Sequence, residues 1–286
     1  MELAHHPEQA TGSQGLWAGL HGSSATLLVP LAARARAVGR WPALGWQDPE
    51  AQRIAALAPQ DLAPLVQDDA LVRSIVLRSQ YIDQQVLQAC AQGQVGTVVT
   101  LGAGLCTRYS RLHARMVQPP QAWLHVDLPD VVRLRTACMG PQQVGDVYAA
   151  SLTDLAWLHA AHLQPGCMHI LILEGVLPYL PAHVVLPWLR DVAEHFQSTG
   201  LECRLLLDFL HPAMVGALPH SAGGMNLPVC GAFVNAAALA ASHPAWQVLD
   251  ECHPFAEFSD NHRAFAAQYH ALHGAAPYTL ASFGLV

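Results

Sequence analysis

The sequence predicts an α/β fold: a mostly parallel seven-stranded sheet with helices on both faces, preceded by a helical N-terminal extension. Three observations carry this. From residue 97 onward, short apolar or β-branched runs alternate with helical stretches. The runs end in glycines or acids, the punctuation of strand-to-helix turns. The 286 residues are 52% hydrophobic, which is enough to bury a sizeable core in one large domain.

Each element can be justified in order. Residues 1–14 carry no pattern, and residues 16 to about 92 read as helical, with turns at Trp41-Pro42, Asp48-Pro49 and Ala58-Pro59. Residues 68–91 form one long helix, because Leu71, Ile75, Ile82, Val86 and Leu87 recur at helical spacing. After Gly96 the period changes. Residues 97–101 are the first strand, ending in Gly102-Ala103-Gly104, and 123–126 the second, ending in Asp127. Residues 145–149 are the third, 169–173 the fourth, ending in Glu174, and 204–209 the fifth, ending near His211. Helices at 108–116, 129–136, 154–162 and 181–197 separate them, which means right-handed βαβ units. Strands at 246–253 and 278–285, flanking a helix at 261–273, supply a final pair at the sheet edge. Residues 1–92 then form an extension or cap and 93–286 the core. A Gly-, Pro- and Met-rich segment at about 212–235, with His220, Gly223, Gly224 and Met225, has the composition of a lid; an ordinary long loop shares it.

Composition excludes several functions. Charged residues are only 12%, and all 14 basic residues are arginine. With 21 acids the formal net charge is −7, a poor balance for nucleic-acid binding. Without lysine, Schiff-base and P-loop chemistry are impossible. The seven cysteines form no C-x-x-C pair and read as reduced thiols of a cytoplasmic protein. No apolar run reaches a membrane span. His159 and His162, and His270 and His273, have i, i+3 spacing but no zinc-site context, so no metal is expected.

In an open α/β sheet, ligands bind beyond the carboxyl ends of the strands. Gly102 and Gly104 allow a tight turn and a close backbone approach there. Asp127, 25 residues beyond Gly102, can accept both hydroxyls of a ribose, and Glu174 ends the fourth strand. The three in register point to a nucleotide-like ligand. Thr107 stands where the dinucleotide fingerprint needs a third glycine, which counts against NAD and FAD. A ligand with a carboxylate and a sulfonium, S-adenosylmethionine, fits better, with Arg78 as a bidentate partner for the carboxylate. Bland readings stand beside these. Arg78 can be a surface helix residue, Asp127 a helix cap, Glu174 a buried structural acid and Cys106 an inert thiol. Asp130 suits the first turn of its helix.

The stretches Arg78-Ser79-Gln80-Tyr81-Ile82-Asp83 and residues 99–108 (Val-Thr-Leu-Gly-Ala-Gly-Leu-Cys-Thr-Arg) resemble the leucine carboxyl methyltransferase superfamily. Residues 125–131 (His-Val-Asp-Leu-Pro-Asp-Val) and 173–180 (Leu-Glu-Gly-Val-Leu-Pro-Tyr-Leu) extend the match, and residues 26–35 look like its bacterial, polyketide-type O-methyltransferase branch. The resemblance covers roughly residues 20–210. It implies a Rossmann-like class I methyltransferase of secondary metabolism that uses S-adenosylmethionine. It assigns Arg78 to the cofactor carboxylate, Gly102, Ala103 and Gly104 to its methionyl and ribose side, Asp127 to the ribose and Leu128 to adenine. Glu174 matches the acid near the cofactor amine. Where the family places Asp-Leu after the third strand, this chain has Ser151-Leu152, with Asp154 downstream; the family also favours Asp in the slot of Cys106.

The expected reaction is methyl transfer to an oxygen of a small-molecule acceptor, held in line with the donor. The resemblance implies a carboxylate, which needs no base, with Arg36 and Arg40 as candidates to hold it. A phenol would need a base such as His211. His211 and Tyr179 are the catalytic candidates, and Trp17 joins Tyr179 as a candidate pocket residue. Ser151 and Cys106 keep two alternatives open: a cofactor-dependent rearrangement or decarboxylation, and a binding protein with a degenerate site.

Overall fold

The computed structural model describes residues 15–140, 145–216, 221–222, 225–226 and 229–285. Strands form where the pattern places them: β1 is Val95–Leu101, β2 Ala122–Asp127, β3 Asp146–Ala149, β4 Met168–Leu173 and β5 Glu202–Leu210. A two-residue pair, β6 (Ser221–Ala222) and β7 (Met225–Asn226), stands apart from the sheet. β8 is Trp246–Cys252 and β9 Tyr278–Leu285.

The main sheet runs β3-β2-β1-β4-β5-β9-β8. β1 to β5 pair in parallel, whereas β9 is antiparallel to both β5 and β8. Of the expected final pair, β8 takes the edge and β9 inserts beside β5. Strand order reverses between β1 and β4, which opens a crevice above their carboxyl ends.

Alternation along the strands sorts side chains onto two faces. Ile170, Ile172 and Leu206 pack with Ile82, Val86 and Cys90 of the helix Asp69–Gln92. Leu171, Leu173, Leu205 and Leu207 face the other way, onto Val185, Leu189, Val192 and Phe196 of the helix Ala182–Thr199. A third cluster joins the helices Leu28–Ala37 and Pro49–Ala55 to Val131, Leu134 and Cys138 of the helix Pro129–Met139.

The long helix Asp69–Gln92 belongs to two of these clusters. Val72, Ile75 and Val76 pack among the N-terminal helices, and Ile82, Val86 and Ala89 pack on the sheet. It starts at Asp68, whose side chain accepts from Ala70 N, and ends at Gly93. It therefore carries Arg78 from the extension to the crevice. Of the expected lid, His220, Gly223 and Gly224 lie outside the described residues; Pro212–Val215 is a short helix, and Met225 falls in β7.

Candidate functional site

The crevice is floored by the turn after β1. Gly102 has φ +68°, and a β-carbon there would stand 2.5 Å from Val176 Cγ2, so only glycine fits. Two arginines pin the turn by its carbonyls. Arg34 donates to Leu105 O at 2.8 Å, and Arg135 donates to Gly104 O and Cys106 O at 3.0 Å each. Burial pulls Arg135 down to about 10. The amides of Gly102 and Ala103 bond Val126 O, which ties the turn to β2. Asp127 is held by both oxygens: Gly104 N donates to Oδ2 at 2.6 Å and Leu128 N to Oδ1 at 2.7 Å. Burial raises the Asp127 pKa, opposed by these two amides.

On the opposite wall the arginines and acids alternate. Arg78 Nε donates to Glu174 Oε1 at 3.1 Å, and Arg108 Nη2 pairs with Glu174 Oε2. Ser79 Oγ also donates to Glu174 Oε1, at 2.7 Å. Arg108 Nε reaches Asp83 at 2.7 Å, Arg111 joins Asp83 to Asp48, and Arg34 closes on Asp48 at 3.3 Å. At the other end, Arg78 Nη1 lies 3.6 Å from Asp208, whose Oδ2 accepts from Tyr278 Oη at 2.9 Å. Burial alone would raise Glu174, but Arg108 and Arg78 hold it well below the ordinary carboxylate range. Burial opposes charge on Arg78, yet Asp208 and Glu174 keep it firmly protonated. Tyr278 is pushed well up by burial and by Asp208.

Between these walls lies a cavity of about 670 Å³, within the range of about 300–1,000 Å³ of small-molecule sites. Arg78, Gly102, Ala103, Gly104, Asp127, Leu128, Ser151, Leu152 and Glu174 all line it, as does Tyr179. The structure thus brings together every residue expected at the cofactor and one of the two catalytic candidates.

Other expectations are corrected. His211 does not line the cavity; its Nδ1 bonds Tyr269 Oη at 2.7 Å and its ring packs on His273. Its chain neighbours Leu210 and Met214 line the wall instead, because His211 turns away to cap the helix Pro212–Val215. Trp17 is buried in the N-terminal cluster. Arg36 and Arg40 meet Asp69, away from the cavity. Asp154 caps its own turn at Ala156 N. Asp130 stays in the first helical turn, where it accepts from Ser24 Oγ.

Sequence reasoning missed Asp208, Tyr278, Arg34 and Asp48. An acid inside the apolar run of β5 was the available signal for Asp208; the others lie far away in the chain. Phe255, Phe258 and His262, from the segment between β8 and β9, also line the cavity and were not foreseen. No group of three or more metal-ligating side chains occurs among the described residues, and none of their helices is long and apolar enough to cross a membrane.

The described lining fits S-adenosylmethionine. Three arginines stand against four carboxyl groups (Asp68, Asp127, Glu174 and Asp208), a formal excess of one negative charge toward a ligand of net positive charge. Leu128, 38% exposed, offers an apolar side chain beside Asp127.

The family model for leucine carboxyl methyltransferase matches residues 28–193. The tetracenomycin polyketide synthesis O-methyltransferase TcmP of Streptomyces glaucescens is 27% identical over 179 residues, which is 63% of this chain and 64% of that one. The S-adenosyl-L-methionine-dependent methyltransferase dpfgK of Gibberella zeae is 27% identical over 116 residues, 39% of this chain and 38% of that one. The chain therefore spans between 38% and 64% of these relatives' lengths. A crystal structure of a Thermobifida fusca protein shares the fold, with a TM-score of 0.53 at 12% identity, covering 90% of this chain and 93% of that one. With more than half its length matched by the family model, this chain belongs to the leucine carboxyl methyltransferase family, whose members draw their methyl group from S-adenosylmethionine.

Proposed function

We propose that the protein methylates an oxygen of a small, largely apolar acceptor. The observation that carries this is the mixed lining of the cavity: the arginine–carboxylate wall and glycine turn, and besides them the apolar side chains of Ile75, Leu180, Met214, Phe255 and Phe258, which we read as the acceptor chamber. When bound, S-adenosylmethionine supplies an electrophilic methyl on a sulfonium. Arg78 would hold its carboxylate, Asp127 its ribose hydroxyls and Leu128 its adenine face. Glu174, kept ionised by Arg78 and Arg108, would hold its ammonium. The apolar chamber excludes water and orients the acceptor for in-line attack.

The acceptor oxygen is better read as a hydroxyl than as the carboxylate that the resemblance implies. Arg36 and Arg40 are engaged with Asp69 outside the cavity. Of the arginines that do line it, Arg78 is taken by the cofactor carboxylate in this reading, Arg34 is held by Leu105 O and Asp48, and Arg108 by Asp83 and Glu174. A second reading, a cofactor-dependent reaction without methyl transfer, rests on Ser151: its hydroxyl bonds Thr153 Oγ1 at 2.8 Å where the family places an acid.

Calorimetry with S-adenosylmethionine tests the first step, and an absence of heat at millimolar ligand would end both readings. Product mass separates them. Methyl transfer adds about 14 Da, whereas an isomerisation leaves the mass unchanged and a decarboxylation lowers it.

A further inference from the structure

The acceptor chamber needs a polar group that recognises the oxygen to be methylated, and most of its polar lining is already spoken for. Asp208 and Tyr278 bond each other, and Asp68 caps its helix. His211, expected in this role, bonds Tyr269 outside.

His262 is placed differently. It lies in the first turn of the helix Asp260–His273 and lines the cavity. Ser259, the N-cap of that helix, accepts from His262 N at 3.3 Å and sits 2.7 Å from Nδ1. The ring is therefore anchored at one nitrogen by its own helix cap. Phe255 and Phe258 pack against it, with ring centroids at 4.9 and 5.6 Å, and against each other at 5.2 Å. Nε2, at the other end of the ring, makes no hydrogen bond among the described residues. No carboxylate pairs with the imidazole among them.

We infer that His262 is the acceptor-facing proton acceptor of this site, and that its Nε2 receives the hydroxyl hydrogen of a neutral, phenol-like acceptor. Ser259 positions the ring by taking the Nδ1–H, which leaves the Nε2 lone pair free. As the acceptor oxygen bonds to the methyl carbon, the sulfur–methyl bond breaks with its electron pair staying on sulfur, and the hydroxyl proton passes to Nε2. The two phenyl rings beside the imidazole offer the acceptor's flat body an apolar surface next to Nε2. This inference rests on the methyl-transfer reading above and adds the identity of the group that meets the acceptor.

The test uses binding, with 2-naphthol as probe and naphthalene as its counterpart lacking the hydroxyl, in the presence of S-adenosylhomocysteine. The wild-type protein should prefer 2-naphthol by about tenfold, the worth of one hydrogen bond. His262→Phe should bring that preference to about one, while its affinity for S-adenosylmethionine stays within about twofold of wild type. His262→Gln, which retains an amide at the same place, should restore part of the preference if the phenylalanine variant folds poorly. The inference is overturned if the wild type shows no preference, if it binds neither probe, or if His262→Phe keeps the preference intact. Loss of S-adenosylmethionine binding by the wild type is a separate result, and it strikes the methyl-transfer reading itself.

Discussion

Arg78 and Glu174 are 96 residues apart in the chain and meet at 3.1 Å in one wall of the cavity, one from the long helix and the other from the end of β4. Glu174 also takes Arg108, so one carboxylate bridges two guanidiniums inside the protein, with Asp208 and Asp83 as their other partners. The pairing holds the buried network together, and in the proposed reading the same two residues meet the ligand; the two roles can be separated by experiment.

Glu174→Gln keeps the shape but removes the charge. It leaves Arg108 with Asp83 and Arg78 with Asp208, each short of a partner in a buried setting. Breaking a buried pair on one side costs about 3–5 kcal/mol. Urea denaturation should show a loss of that order, and a change under about 1 kcal/mol would mean the network relaxes or admits water.

Arg78→Ala and Asp127→Asn address the ligand. Losing a charge-assisted contact should weaken S-adenosylmethionine binding by about 1.5–3 kcal/mol in either variant. Asp127→Asn keeps one carbonyl acceptor for the Gly104 and Leu128 amides, so its circular dichroism should match wild type. Calorimetry giving an unchanged affinity in a folded variant would take that residue out of the cofactor site.

Gly102→Ala introduces a β-carbon 2.5 Å from Val176 at a left-handed backbone position. Strain of this kind costs about 1–3 kcal/mol. Both the melting temperature and the affinity for S-adenosylmethionine should fall, because the turn that would cradle the ligand has to shift. Wild-type values for both would contradict the packing described.

His169 offers a pH-dependent check on the sheet. It is buried, its Nδ1 accepts from Thr97 N at 3.0 Å and its Nε2 faces Gln164 O at 2.9 Å, so the neutral ring is the form that fits. Burial lowers its pKa below the ordinary histidine value. The unfolded chain then takes up the proton first as pH falls, and the contribution of His169 to stability, complete above about pH 6.5, declines from there down to the folded value. Urea midpoints measured from pH 7.5 to 5.5 should drop, with a shallower slope in His169→Gln. Equal slopes would assign the decline to other groups.

His211→Ala is a control with an opposite expectation. Because His211 bonds Tyr269 outside the cavity, methyl transfer should stay within about twofold of wild type and stability should fall by about 1 kcal/mol or less. A large loss of turnover with unchanged melting would return His211 to the site.

Much of this was legible in the chain because it depends on local pattern. The Gly102-Ala103-Gly104 turn, Asp127 and Glu174 announce themselves as the residues that follow apolar runs, and a parallel sheet places all such positions along one edge. Arg78 was legible for a related reason: it precedes the first strand by one helix, in a stretch with family resemblance. Ser79 and Asp83 share its helix at a spacing of four, so both turn toward Arg108 and Glu174.

What the sequence by itself determined, then, is the order of strands and helices, the edge of the sheet where the cavity opens and the residues around the glycine turn that line it. Periodicity and turn chemistry act over a few residues, and they are written in the chain. Only the tertiary structure decided which arginine meets which acid, that His211 turns outward, and that Phe255, Phe258 and His262 reach the cavity. The last two outcomes depend on β9 inserting between β5 and β8, which carries a segment more than 40 residues beyond β5 back to the cavity. Side-chain direction at that distance is set by long-range packing, and no local signal encodes it.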